Sequence, residues 1–247
     1  MTNQEMLAIV QTQLAINLNC TVDDINGEKD HFVFVEAKEN PGRIPYPRGK
    51  QHFDMMTMGN SIIVSATPAR LKYVKDQLSG KSRDEAFSMP FLCGHSMWYL
   101  PDLANLKCVS VPGGFVFETV ERNEIPHLHD TERFSNAIQT DPNHPIQNAL
   151  VMLAKYGDSI VAMVGAADLS STMWGIGIDV LPEYRNHGLA VYLVTAITAE
   201  ILKQGIVPCY GASSSNLASQ KVAHRAGFMP AWVIDYRVRF EGELSNS

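Results

Sequence analysis

The run Arg185-Asn186-His187-Gly188-Leu189-Ala190 puts a cation, a glycine and a small residue where an apolar strand end turns through Pro182 into a helical pattern. The first amides of a helix have no internal partner and carry the positive end of its dipole, so an anion is their natural occupant. Gly188 lets that anion reach the backbone with no Cβ in the way. Ala190 keeps the first turn thin, and Arg185 adds a positive charge. Holding a diphosphate is the chemistry this spacing allows. Two rival phosphate loops fail. Ser79-Gly80-Lys81-Ser82 ends like a Walker A loop, but Lys75 stands where its first glycine is required. Gly175-Ile176-Gly177 lacks the third glycine of a dinucleotide fingerprint and lies inside a strand pattern.

The elements around the run follow from periodicity. Ala190, Leu193, Val194, Ile197 and Ile201 form an apolar stripe, which starts a helix near His187 or Gly188 and carries it to Gln204, before Gly205. Upstream, 148–181 reads as three strands and 115–121 as another, with one or two short helices over 126–141. Downstream come a strand at 206–212, a helix from Asn216 that ends at Gly227, and a closing strand over 232–240. In the first half, Leu7, Val10, Leu14 and Leu18 share a helical face. Strands are expected at 31–37 and 60–67, and a helix with proline in its first turn at 68–78. Residues 88–102 are apolar and irregular. Val111-Pro112-Gly113-Gly114-Phe115 is the strongest punctuation in mid-chain, and it divides an α/β N-terminal domain, 1–112, from a second domain, 113–247. The whole reads as α+β.

Composition narrows the partners. With a net charge of −6 the chain lacks the basic footprint of nucleic-acid binding. Arg43, Arg48 and Lys50 are expected on a solvated face. No apolar run is long enough for a membrane span, and the N-terminus lacks the pattern of a signal peptide. Cys20, Cys93, Cys108 and Cys209 are scattered, which favours reduced thiols in a cytoplasmic protein. His127 and His129 form the one H-x-H, with no adjacent Glu or Cys, so no metal site is expected.

The stretch from Ile178 to Ala190, followed by Asn216-Leu217-Ala218-Ser219 and ending at Gly227-Phe228, resembles the GNAT superfamily of acyl-CoA-dependent N-acetyltransferases. The resemblance covers residues 113–240, and within the superfamily it points to a bacterial branch with an extra N-terminal domain. It implies a mixed, mostly antiparallel sheet flanked by helices, with two splayed strands that receive acetyl-CoA as co-substrate. The diphosphate would rest on Arg185, Asn186, His187, Gly188, Leu189 and Ala190. The pantetheine arm would pair with the backbone of Ile178, Asp179 and Val180 as an added strand. Asn216 would contact the arm from the other side of the gap, a role compatible with capping its helix. The reaction implied is acetyl transfer to the primary amine of a small-molecule acceptor by direct attack in a ternary complex. Neither nucleic acid nor membrane is implied as a partner, and a homodimer is compatible with the resemblance.

The sequence departs from the family at the places where protons move. Many relatives carry a Tyr seven residues after the Asn; here Ala223 stands there, next to His224, which is expected at the surface. Ser219 shares the face of Asn216 and could hydrogen-bond the cofactor or the leaving sulfur. A Glu early in the fourth strand is absent, and Trp174 offers a packing aromatic instead. Asp168 and Asp179 remain as base candidates, though each reads more readily as a solvated or hydrogen-bonded carboxylate. A second class of function therefore stays open: a GNAT-fold module that binds an acyl-CoA or a protein and turns over weakly. Phe91, Met97, Trp98 and Tyr99 are expected either to wall the acceptor end of the cleft or to pack within the first half.

Overall fold

The computed structural model describes residues 1–45, 52–106, 109–128 and 131–235. Arg48, Lys50, Cys108, His129 and positions 236–240 of the closing strand lie outside the described residues. The chain forms two compact units. One holds Leu7–Trp98, Ala212–Ser215 and the chain from Ala231; the other holds Met1–Met6, Tyr99–Gly211 and Asn216–Pro230.

The chain opens with α1 (Asn3–Leu18). Its buried apolar residues are Met6, Val10, Leu14, Ala15 and Leu18, while Leu7, expected among them, is 39% exposed. Steps of four from Met6 keep one face, so Met6 takes the place assigned to Leu7. A one-turn helix, α2 (Val22–Ile25), is closed by a capping box between Thr21 and Asp24. In the first-named unit, β1 (Phe32–Glu36) runs parallel to β3 (Ile62–Ala66), and β2 (Phe53–Thr57) runs antiparallel to β3. All five residues of both β2 and β3 are buried. With both faces covered there is no alternation to read, which is why β2 is silent in the sequence. Then come α3 (Pro68–Leu78), starting at the proline, and α4 (Arg83–Phe87). Phe53, Met55, Val64, Val74, Leu78 and Phe91 share the core beneath them. Arg43 is buried too, not solvated: its guanidinium donates to the carbonyls of Asn17 and Ile44.

The segment expected to be irregular contains a strand, β4 (Ser96–Pro101). Phe91 falls to ordinary core packing, edge-on to Phe53, and the Trp98 ring stacks on Trp232 at 5.3 Å. The second-named unit is built on an antiparallel meander of β5 (Val116–Glu121), β6 (Asn148–Tyr156), β7 (Ser159–Asp168) and β8 (Met173–Val180). Two 3-10 turns, Ile125–His127 and Thr131–Phe134, stand where short helices were expected. After α5 (Leu189–Lys203) the chain returns as β9 (Val207–Ser213), parallel to β8. It ends with α6 (Leu217–Arg225) and β10 (Phe228–Asp235), whose last residues, Val233–Asp235, belong to the first-named unit and pair antiparallel there with Met55–Thr57 of β2. A mixed, mostly antiparallel sheet flanked by helices is the architecture expected.

Candidate functional site

Where β8 and β9 run side by side, the register holds for four pairs, from Met173↔Val207 to Ile176↔Tyr210. Beyond that point β8 continues to Val180 and β9 to Ser213 with no further pair between them among the described residues. The β7 side of β8 stays paired as far as Val180. One edge of Gly177–Val180 is therefore left open, and it spans the predicted arm-binding residues Ile178, Asp179 and Val180. Their main-chain groups are the usable surface: an added strand binds by backbone, not side chain.

The open edge leads into the phosphate-type loop. Gly188 caps α5 at φ +82°, and Asn186 is also left-handed at φ +66°. The amide of Tyr192 donates to the Gly188 carbonyl at 3.0 Å as α5 begins, so the amides of Leu189, Ala190 and Val191 precede the helical ladder. Leu189, not Ala190, joins the buried stripe with Leu193, Val194, Ile197 and Ile201. Leu189 can offer an anion only its backbone, whereas Arg185, Asn186, His187 and Gly188 are exposed. The Arg185 guanidinium turns back and donates to the Val180 carbonyl at 3.1 Å. The His187 ring packs against Phe115 at 6.0 Å, and Phe115 in turn meets Tyr184 and Tyr156. This aromatic group braces the loop from outside.

Asn216 caps α6: its Oδ1 accepts from the Ser219 amide at 3.1 Å. That cap occupies one lone pair of the oxygen and leaves Nδ2 with no side-chain or backbone bond of the cap to make. The Ser219 hydroxyl lies 2.7 Å from the hydroxyl of Tyr210, the residue that closes the β8–β9 register. Nothing in the sequence singled out Tyr210, one aromatic in an apolar strand. Ala223, at the position of the family tyrosine, is fully buried, and His224 is exposed.

The two base candidates are not brought together. Asp168 pairs in register with Trp174, five residues before Asp179 along β8, a separation of about 17 Å at strand rise, and they alternate onto opposite faces. Asp168 accepts from Arg122 and from the Gln147 amide. Asp179 accepts from three donors: the Asn136 and Ala137 amides at 2.8 and 3.1 Å, and Asn136 Nδ2 at 2.6 Å. From β6, Asn148 grips the same segment, donating to the Ala137 carbonyl and accepting from the Gln139 amide. The segment lies flat on the sheet because Gly177 has no side chain: a Cβ there would stand 1.8 Å from the Asn136 carbonyl oxygen. Between it and the strands is a cavity of about 160 Å³, with Asn136, Gln139, His144, Asn148, Gly175 and Gly177 in its lining. No Asp, Glu, Lys or Arg lines it. Among the described residues no three His, Cys, Asp or Glu side chains group as a metal site would require.

Residues 111–232 match the family model of the GNAT acetyltransferase. No curated protein matches the chain in sequence. Among solved structures, an acetyltransferase from the GNAT family of Colwellia psychrerythraea is similar at 14% identity over 65% of this chain and 63% of its own, with a TM-score of 0.44. A GCN5-related N-acetyltransferase-like protein from Streptococcus suis is similar at 18% identity, over 72% of each chain, with a TM-score of 0.40. A GCN5-related N-acetyltransferase from Kribbella flavida is similar at 14% identity, over 61% of this chain and 59% of its own, at 0.44. The chain thus spans about three fifths of the Colwellia and Kribbella proteins.

Proposed function

We propose, from the chain's membership of the GNAT acetyltransferases through residues 111–232, that it moves the acetyl group of acetyl-CoA onto the primary amine of a small acceptor. The observation that carries this is the end of the β8–β9 register at Ile176↔Tyr210, with an open strand edge leading into the amides at the start of α5. The diphosphate rests on the loop from Arg185 to Ala190, and the arm pairs along Ile178–Val180. The acceptor occupies the cavity beside Gly175 and Gly177, on the face that Asp179 shares. Its lining, without Asp, Glu, Lys or Arg, suits a polar acceptor body over a strongly ionic one.

The chemistry is direct attack. The amine nitrogen bonds to the acetyl carbon, the C–S bond breaks, and its electron pair leaves on sulfur. An amine of pKa about 10 arrives protonated; it must lose one proton before attack and a second from the same nitrogen as the amide forms. Both carboxylates are held by neighbouring donors, so water takes these protons, and Asp179 acts by fixing the segment at 136–137. Ser219 serves the leaving sulfur. The free, buried thiol of Cys209 is consistent with a cytoplasmic setting.

The test is acetyl-CoA binding by calorimetry, followed by a panel of amines read by release of free thiol. Binding with turnover on one acceptor class is expected. A second reading, a module that binds acyl-CoA with little turnover, is favoured by the buried Ala223 in the family's tyrosine position; it predicts binding with no thiol release on any amine.

A further inference from the structure

Tyr210 is 1% exposed, and a buried phenol needs a hydrogen-bond partner. Its hydroxyl meets Ser219 Oγ at 2.7 Å, while its ring packs beside Phe228. Burial pushes the phenol up, and the Ser219 hydrogen bond pulls against it by less, so Tyr210 stays protonated at neutral pH. Either hydroxyl could donate across this contact; a phenol is a better acid than an alcohol, so we take Tyr210 as the donor and Ser219 Oγ as the acceptor. The serine has one proton, and with its oxygen engaged that proton must point away from the phenol. Ser219 is half-buried, on the first turn of α6, with its amide already pinned by Asn216. A hydroxyl that accepts from one side and donates from the other is polarised along the chain.

We propose that Tyr210 is a positioning residue that turns the Ser219 hydroxyl into a donor for the thiolate departing along the β8–β9 gap. The inference rests on the acetyl-CoA reading above and deepens it. Ser219 gives the sulfur a hydrogen bond while it carries the charge, and loses no proton. The nitrogen releases both protons to solvent, the thiolate takes one back from solvent, and neither Tyr210 nor Ser219 changes state. The pair thus occupies the role left vacant by Ala223, with the phenol supplied by a strand and the last donor by a helix.

The experiment needs no acceptor. The thiol of bound coenzyme A is titrated through the ultraviolet absorbance of its thiolate in wild type, Tyr210→Phe, Ser219→Ala, Ser219→Thr and the double variant Tyr210→Phe/Ser219→Ala. A hydrogen bond to a charged group lowers the bound thiol pKa in wild type by about one unit relative to Ser219→Ala. Tyr210→Phe is expected to lose most of that shift, the double variant no more than Ser219→Ala, and Ser219→Thr, which keeps the hydroxyl, to retain it. Affinity for the thiol form, measured at neutral pH, should stay within a few-fold in every variant, which a merely structural defect would not allow, while affinity for the thiolate form weakens about tenfold in Ser219→Ala, in step with the shift. If the variants bind coenzyme A and titrate like wild type, the inference falls while the acetyl-CoA reading stands. Loss of the shift in Ser219→Ala alone removes Tyr210 from it. If wild type does not bind coenzyme A, the parent reading falls and this one with it.

Discussion

Gly188 holds φ +82° at the first turn of α5, with Pro112 Cγ 3.9 Å from where a Cβ would sit. Space is available there; backbone freedom is what the position needs. A β-branched residue is a true outlier in that region, at a cost of about 1–3 kcal/mol, and its side chain would also face the bound anion. Gly188→Val is therefore expected to abolish acetyl-CoA binding in calorimetry while far-ultraviolet circular dichroism stays native. Wild-type affinity in the variant would remove the loop from the site. Asn186, also left-handed, belongs to the same bend. Together they give the run the left-handed bend that its glycine announces in the sequence.

At the scale of elements, Gly177 decides the geometry beside the gap. Substitution by Ala would drive a Cβ into the Asn136 carbonyl and pull the 136–137 amides from Asp179. Overpacking of this kind costs about 2 kcal/mol. In a chain this long that lowers the melting temperature by about 4–8 °C. An unchanged melting temperature in Gly177→Ala would mean the segment is not seated on β8. The sequence marked Gly175-Ile176-Gly177 only as a failed nucleotide motif, because a close approach by a distant carbonyl leaves no local trace. β2 escaped for a related reason: burial on both faces erases the alternation, and Asp54 interrupts the apolar run. By contrast α3, α5 and α6 were legible to within a residue or two, since caps and stops such as Pro68, Gly188, Asn216 and Gly227 are written locally. Tyr210 and Asn148 were not, because their roles exist only through partners nine to eleven residues away across a fold.

For the whole molecule, the two compact units are not cut at one point of the chain. The amide of Asp102 donates to the Gly227 carbonyl, and Asp102 accepts from Asn3, both within the unit that carries β8. Val233–Asp235 find their partners on β2. A fragment starting at Gly113 would lose all of these, so 113–247 expressed alone is expected to be insoluble or to melt far below the full chain; soluble, acetyl-CoA-binding fragment would show that the later half is self-sufficient. The open edge of Gly177–Val180 has one more effect, on how the protein keeps. An unpaired run of strand backbone is adhesive toward any other extended chain, and proteins hide such edges with bulges, prolines or charges. Arg185, bonded to the Val180 carbonyl, shields part of it, and on the acetyl-CoA reading proposed above the cofactor arm would double as its cover. Heated without acetyl-CoA, the protein should begin to scatter light several degrees earlier than with it, and storage with the cofactor should extend its life in solution beyond what tight binding elsewhere would give.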